Sequence, residues 1–385
     1  MIYKIINMIF CVYKKIFYTF IGLKNIILFE SEPAFSDNAL YVFDEMLKRG
    51  MNKKYKLVWM LNNKNDVDKN IFSDIENVKV VYRKGSRGKY YYSYAAKIIL
   101  SSNAFLPQKS EKQQSIYLAH GAAFKNTRGK YTLPNSYINP KVVSISKFLA
   151  KYDAVNLECD EKCMLPLGFP RNDLLISGKV DLNKLFNKEN CKFICWMPTY
   201  RQHNLDRTHI CSSVEMPILH SNREAEIINA AAKAKKVVLL VKPHPAQDLS
   251  HISTDDLSNI IFIDNDYLKS ISLENYSMLG SCDALITDYS SVYYDFLLTD
   301  KPVGLCWEDF DEYNKNEGFT VDPNVIMKPC EKILNCDDMI NFISHVADGI
   351  DVYKEERNVI CNMVHDYVDC NSTERVVDYI INLKL

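Results

Sequence analysis

The stretch Ala284-Leu285-Ile286-Thr287-Asp288-Tyr289-Ser290-Ser291-Val292-Tyr293-Tyr294-Asp295-Phe296-Leu297-Leu298 decides the fold class. Residues 284–287 form a short apolar run of strand character, and 290–298 read as an apolar helix. A helix that begins directly after a strand is the βα unit of a parallel sheet. It also aims unpaired N–H groups and the positive end of the helix dipole past the strand end. With the hydroxyls of Ser290 and Ser291 beside those amides, the ligand such a start suits is a phosphate or diphosphate. A plain N-cap formed by Asp288, Ser290 or Ser291 is the alternative reading of the same residues.

The same alternation extends in both directions from this stretch. Upstream, 25–29 reads as a first strand and Ser36-Asp37-Asn38 caps a helix running to about Lys48. Further apolar runs lie at 56–61, 78–82, 98–101, 115–118 and 142–145, with helical or loop stretches between them. Pro166, Gly168 and Pro170 then punctuate the chain, which places a domain junction there. A second series follows: strands at 193–197, 237–241, 260–263, 284–287 and 303–306, with helices at 224–235 and 290–298. The carboxyl end, 337–347 and 352–383, reads as helices. The fold class expected is α/β, with two doubly wound, Rossmann-like domains facing one another. The expected divisions are 1–24, 25–168, 169–350 and 351–385.

A chain of 385 residues with 47% hydrophobic and 25% charged side chains is globular and long enough for two domains. Its formal net charge of −1 provides no global field for nucleic acid, so any anion site has to be built locally. The twelve cysteines contain no Cys-x-x-Cys pair; the closest, Cys159 with Cys163 and Cys191 with Cys195, have three residues between them. That spacing argues against a zinc site and for reduced cysteines used as small apolar side chains. No bound metal or cofactor is expected.

The amino terminus is apolar over 2–29 but interrupted by Lys4, Asn7, Lys14, Lys15, Lys24 and Asn25, so no run approaches the ~20 apolar residues that cross a bilayer. On a helical wheel Lys4, Asn7, Cys11, Lys14 and Tyr18 share one stripe, opposite Ile2, Ile5, Ile6, Ile9, Val12, Ile16, Phe20 and Leu23. This is a basic amphipathic helix over 1–24. It suits either the surface of an anionic membrane or the protein's own core, since periodicity does not name the partner.

Four polar clusters sit at the ends of apolar runs, where α/β proteins gather their ligand-binding groups: His120-Gly121, Pro198-Thr199-Tyr200-Arg201, Lys242-Pro243-His244-Pro245 and Thr287-Asp288-Tyr289-Ser290-Ser291. His120 is the candidate base, because an imidazole titrates near neutrality and takes a proton from an attacking hydroxyl; a core histidine bonded to a carbonyl is the alternative. Gly121 lets the backbone turn and a substrate come close. His244, held by prolines beside Lys242, suits hydrogen bonding to a phosphate and to charge on a leaving group. Arg201 offers a fixed positive charge for the same anion, and Arg171 at the junction is either a further such charge or a structural salt-bridge donor.

In order, these residues resemble the family of CDP-glycerol glycerophosphotransferases, the polymerases and primases of teichoic-acid-type polymers. The likeness runs from Phe29-Glu30-Ser31 and Ser36-Asp37-Asn38 through His120-Gly121 with Lys125. It continues in Gly168-Phe169-Pro170-Arg171-Asn172-Asp173, the three later clusters, Asp295, and Asp309-Phe310-Asp311-Glu312-Tyr313 with Gly318-Phe319. It implies a GT-B architecture with the acceptor on the first domain and a CDP-linked donor on the second, and a reaction without a catalytic metal. His120 resembles the family's base, His244 its pyrophosphate-binding histidine, and Ser290 and Ser291 its donor phosphate cradle, joined by Arg201, Lys242 and Asp288. Gly121, Lys125, Arg171, Asp295 and Asp309 are further candidates.

The implied reaction moves glycerol phosphate or a related alditol phosphate to a hydroxyl of a lipid-linked or glycan acceptor, releasing CMP, at the cytoplasmic face of the membrane. Teichoic acid or a capsule-like polymer is the product class. Ala119 stands where many members carry Trp, Ala122-Ala123-Phe124 replaces Thr-Pro-Leu, and a Pro-Gly stretch is missing near 324–329. Two other readings stay open: a GT-B glycosyltransferase using a nucleotide sugar, and a catalytically silent membrane-associated assembly protein.

Overall fold

The computed structural model describes residues 20–62, 71–83, 88–106, 108, 110–130, 132–133, 139–199, 216–244, 247, 249–254 and 256–383. The amphipathic helix expected over 1–24 falls almost wholly outside the described residues, and Arg201 lies outside them too. The chain forms two compact units. The first comprises the chain up to His120, Arg128–Arg171 and the residues from Asn371 onward; the second comprises Gly121–Thr127 and Asn172–Cys370.

The first unit is built on seven strands, β1 Lys24–Glu30, β2 Lys56–Leu61, β3 Val78–Tyr82, β4 Ala96–Ser101, β5 Gln114–Tyr117, β6 Lys141–Ser144 and β7 Met164–Pro166. All pairings are parallel, in the order β3-β2-β1-β4-β5-β6-β7. The central strand β1 is buried without alternation from Ile26 to Glu30, as a parallel strand covered on both faces requires. On one face Phe29 packs on Phe43 of the helix Asp37–Lys48 and on Trp59, at ring separations of 5.3 and 5.5 Å. On the other, Ile26 and Leu28 join Val58, Met60, Ile99 and Ala95. The strand order reverses between β1 and β4, so the residues leaving those strands and β5 collect at one edge.

The second unit repeats the plan with β8 Lys192–Trp196, β9 Val237–Val241, β10 Ile260–Phe262, β11 Ala284–Thr287, β12 Val303–Cys306 and β13 Glu331–Ile333. They pair in parallel in the order β10-β9-β8-β11-β12-β13, with the reversal between β8 and β11. The helices Asn222–Ala234 and Cys336–Asp348 cover one face, bringing Ile228, Ala232, Phe342 and Val346 onto Ile194, Trp196, Leu239, Val241 and Ile286. Cys195, Cys282, Cys306 and Cys330 are free thiols within this buried interior. Among the described residues no helix is long and apolar enough to cross a membrane.

The carboxyl-terminal helices expected as one block over 351–385 are divided. Lys354–Val364 belongs to the second unit, whereas Ser372–Ile381 belongs to the first and lies along the helix Asp37–Lys48, where Asp378 pairs with Arg49. Arg375 Nε fixes it further by donating to the Leu167 carbonyl at 2.8 Å. The chain passes to the second unit at residues 171–172, and the segment 121–127 after β5 also joins that unit.

Within the second unit the helices Asp173–Ser177 and Asn275–Ser281 meet where Gly280 abuts the Leu175 carbonyl. Backbone cannot rotate away from an added methyl as a side-chain tip can, so Gly280→Ala is expected to destabilise by about 1–3 kcal/mol. Thermal unfolding of the variant against the parent measures this.

Candidate active site

In the first unit the turn after β5 carries His120 at an exposed position. Ala119 precedes it with φ 58°, in the left-handed region. Two oxygens face the imidazole Nδ1: the Tyr117 hydroxyl at 2.9 Å and the Ser102 carbonyl at 3.3 Å. The carbonyl only accepts, so it favours the tautomer with the proton on Nδ1, which leaves the lone pair of Nε2 as a base. Ser102 is held in turn, its hydroxyl accepting the Ala39 N–H of the neighbouring helix at 3.1 Å.

Arg171 is 6% exposed and points inward. Its Nη1 donates to Asp37 Oδ1 at 3.0 Å and to the His120 carbonyl at 2.7 Å. Arg171 is thus a buried salt-bridge donor that also holds the His120 carbonyl. Asp37 also accepts the Asn38 N–H at 2.8 Å, while Ser36, at the N-cap position, makes no side-chain cap bond. Although the His120 ring keeps solvent access, the protein packed about it disfavours its charged form. Together with the Arg171 guanidinium this outweighs Asp37 and the Ser102 carbonyl, and its pKa lies below the ordinary value.

In the second unit the reversal between β8 and β11 is tied by Asp288, which is fully buried. Its carboxylate accepts the Thr199 N–H at 3.0 and 2.8 Å, the Thr199 hydroxyl at 2.5 Å and the Tyr289 N–H at 2.6 Å. A carboxylate so engaged positions the loop after β8, and the groups left to meet an anion are those around it. Lys125 Nζ donates to Thr199 Oγ1 at 3.4 Å. The Lys125 segment is fixed as a short antiparallel ribbon, with Lys125 bridged to Phe319 and Asn126 N–H on the Gly318 carbonyl at 3.1 Å.

Lys242 leaves β9 half-buried, its N–H on the Trp196 carbonyl at 2.8 Å, and burial lowers its pKa against the opposing pull of Cys195 and Asp264. His244 is exposed; partial desolvation lowers its pKa, and the charges of Lys125 and Lys242 lower it further. The charges of Lys125 and Lys242 thus both act on His244.

Ser290 and Ser291 stand just outside the helix Val292–Leu297, which starts two residues later than the sequence spacing suggests. Ser290 Oγ accepts the Val292 N–H at 3.4 Å. Ser291 Oγ lies 2.5 Å from where a Cβ on Gly121 would be, so only glycine leaves that hydroxyl its place. Asp295 and Asp309 sit behind these groups. Asp295, 1% exposed, accepts from Asn172 Nδ2 at 3.0 Å and the Tyr276 hydroxyl at 2.7 Å, and Asp309 accepts the Tyr289 hydroxyl at 2.7 Å.

The first unit thus assembles His120 with Arg171, and the second assembles Gly121, Lys125, Lys242, His244, Asp288 and Ser291. Sequence reasoning did not single out Tyr117, Ser102 or Thr199. Thr199 lay inside a quoted cluster; Tyr117, three residues before His120 at the end of the same strand, carried a signal in its spacing.

Removing the Asp37 charge takes away an influence that raises the His120 pKa. Asp37 sits at φ 57°, which asparagine tolerates. Turnover that needs neutral His120 is full above its pKa and falls below it, so the acid limb of the parent is expected beneath about pH 6.5. In Asp37→Asn it moves to still lower pH, as a pH–rate profile measures. Gly121→Ala is expected to displace the Ser291 hydroxyl and raise KM for an anionic substrate by roughly fivefold, the equivalent of about one hydrogen bond. Steady-state kinetics on the variant checks it.

The family model described as CDP-glycerol:poly(glycerophosphate) glycerophosphotransferase matches residues 13–382. A teichoic acid glycerol-phosphate primase of Bacillus subtilis is 25% identical over 319 residues, covering 76% of this chain and 75% of its own. A teichoic acid poly(glycerol phosphate) polymerase of Staphylococcus epidermidis is 26% identical over 75% of this chain, which spans 41% of that longer protein. Among solved structures, the wall teichoic acid polymerase TagF matches with a TM-score of 0.70 at 20% identity, over 96% of this chain and 92% of that one. A putative UDP-N-acetylglucosamine 2-epimerase from Listeria monocytogenes shares the fold with a TM-score of 0.53 at 13% identity, over 93% of this chain and 96% of its own. These likenesses accord with the two parallel-sheet α/β domains of a GT-B-like fold.

Proposed function

This chain belongs to the CDP-glycerol:poly(glycerophosphate) glycerophosphotransferase family, and we propose that it moves glycerol phosphate, or a related alditol phosphate, from a CDP-linked donor to a hydroxyl of a lipid-linked or glycan acceptor, releasing CMP in teichoic-acid-type polymer synthesis. The observation that carries this reading is the cationic Lys125, held on Thr199 Oγ1 at the strand reversal of the second sheet, with Lys242 leaving the neighbouring strand β9. An anion relieves the repulsion among those groups, and a diphosphate carries the charge to do so. A TagF variant soaked with CDPG is among the solved structures of the same fold.

In the proposed reaction the acceptor oxygen attacks the distal phosphorus of the donor. The bond from that phosphorus to the bridging oxygen breaks, and its electron pair leaves with CMP. His120 Nε2 takes the acceptor proton. Lys125, Lys242, His244, Ser290 and Ser291, together with Arg201, hold the diphosphate and offset charge on the departing CMP. Asp288 acts through Thr199. The acceptor's membrane setting accords with the basic, amphipathic pattern of 1–24, and we place the protein at the cytoplasmic face as a peripheral enzyme.

The test is a donor screen on the purified protein with CDP-glycerol, CDP-ribitol and a set of nucleotide sugars, with lipid-linked acceptor present and products read by mass spectrometry. CMP release from a CDP-alditol alone is expected. Transfer from a nucleotide sugar would instead mark a glycosyltransferase, and no turnover of any donor a silent protein. His120→Ala is expected to bind donor normally and lose roughly 10²–10⁴-fold in kcat; turnover at the parental rate would sink the base assignment.

A further inference from the structure

The Asn38 side chain is fully buried in the first turn of the helix Asp37–Lys48, yet it serves residues far along the chain. Its Nδ2 donates to the carbonyls of Leu118 at 3.0 Å and Ala119 at 2.9 Å, and its Oδ1 accepts the Arg171 N–H at 3.0 Å. Two carbonyls on one side and an N–H on the other leave a single sensible orientation of the amide, with both donors and the acceptor used.

The carbonyls it grips belong to the two residues immediately before His120. One of them is Ala119, whose left-handed conformation is unfavourable for an L-residue and persists only where the surroundings enforce it. The backbone of His120 is thereby pinned on both sides, by Asn38 before it and by Arg171 on its own carbonyl at 2.7 Å. The ring is pinned at Nδ1 by Tyr117 and Ser102. Serine at this helix position would be too short to reach three backbone groups, and aspartate has no donor for the carbonyls.

We infer that Asn38 is a positioning residue for the transfer reaction: its amide holds the left-handed turn at Ala119 and so aims the His120 imidazole at the acceptor hydroxyl. The inference rests on the reading of His120 as the base. Asn38 itself touches neither substrate, and it acts only through His120.

That dependence makes a double-mutant cycle the right experiment. Asn38→Ala, Asn38→Asp, His120→Ala and the two combinations with His120→Ala are purified as full chains, with folding checked by thermal unfolding, and assayed with CDP-glycerol and lipid-linked acceptor. Misaiming a base by about an ångström costs on the order of 10²-fold. A fall in kcat of roughly 10- to 100-fold for each Asn38 variant is expected, with donor KM and donor affinity at parental values. In the His120→Ala background the same substitutions change residual turnover little, because the group they aim is gone. Asn38→Asp, nearly equal in volume, carries the measurement if Asn38→Ala does not fold.

Loss by the same factor in both backgrounds, or a rise in donor KM with kcat unchanged, overturns the role of Asn38 while leaving a slow His120→Ala to support the base. A His120→Ala as fast as the parent overturns the base assignment and the role of Asn38 with it.

Discussion

A carboxylate taken wholly out of water has to be surrounded by donors, and in this protein the requirement fixes the second site. Asp288 satisfies it with the Thr199 N–H and hydroxyl and the Tyr289 N–H. Those bonds bind the exit of β8 to the exit of β11, at the one place where the strand order turns back. Thr199 is then set to accept from Lys125, which brings a lysine from the 121–127 segment to the end of β8. A buried negative charge thus organises a positive surface without standing in it.

The first unit solves the corresponding problem with a neutral amide and an ion pair. Asn38 holds the turn before His120, and Arg171, neutralised by Asp37, holds the residue itself. In both units the groups that decide geometry are buried and come from segments distant in sequence. The two candidate histidines are exposed, and His120 is supported from behind, as precise placement of a reacting side chain requires.

Much of the fold was legible because parallel strands covered on both faces are uninterrupted apolar runs. The strands at 56–61, 78–82, 237–241, 284–287 and 303–306 agree with their sequence boundaries to the residue. β7 and β13 were missed for a physical reason: each has three residues, lies at a sheet edge, and contains Pro166 or the charged pair Glu331 and Lys332. The return of Ser372–Ile381 to the first unit was also hidden, since helical periodicity describes a face and not what it meets. At the site, histidines and lysines at strand ends announced themselves by residue type. Asn38 read only as part of a helix cap, because nothing local reveals that its amide reaches residues 118, 119 and 171.

The pKa values of the two histidines are lowered by different means, and on the proposed reading the difference suits different tasks. Surrounding protein and Arg171 hold down the pKa of His120, and both persist through a reaction cycle; a base that must be free of its proton when the acceptor arrives benefits from such constancy. His244 is depressed in part by Lys125 and Lys242, two positive charges that a bound diphosphate would neutralise. Donor binding on the proposed reading therefore raises the His244 pKa, and linkage requires that protonated His244 bind the donor more tightly in return. On that reading one imidazole receives a proton from the acceptor, and the other gains its positive charge only when there is an anion to hold.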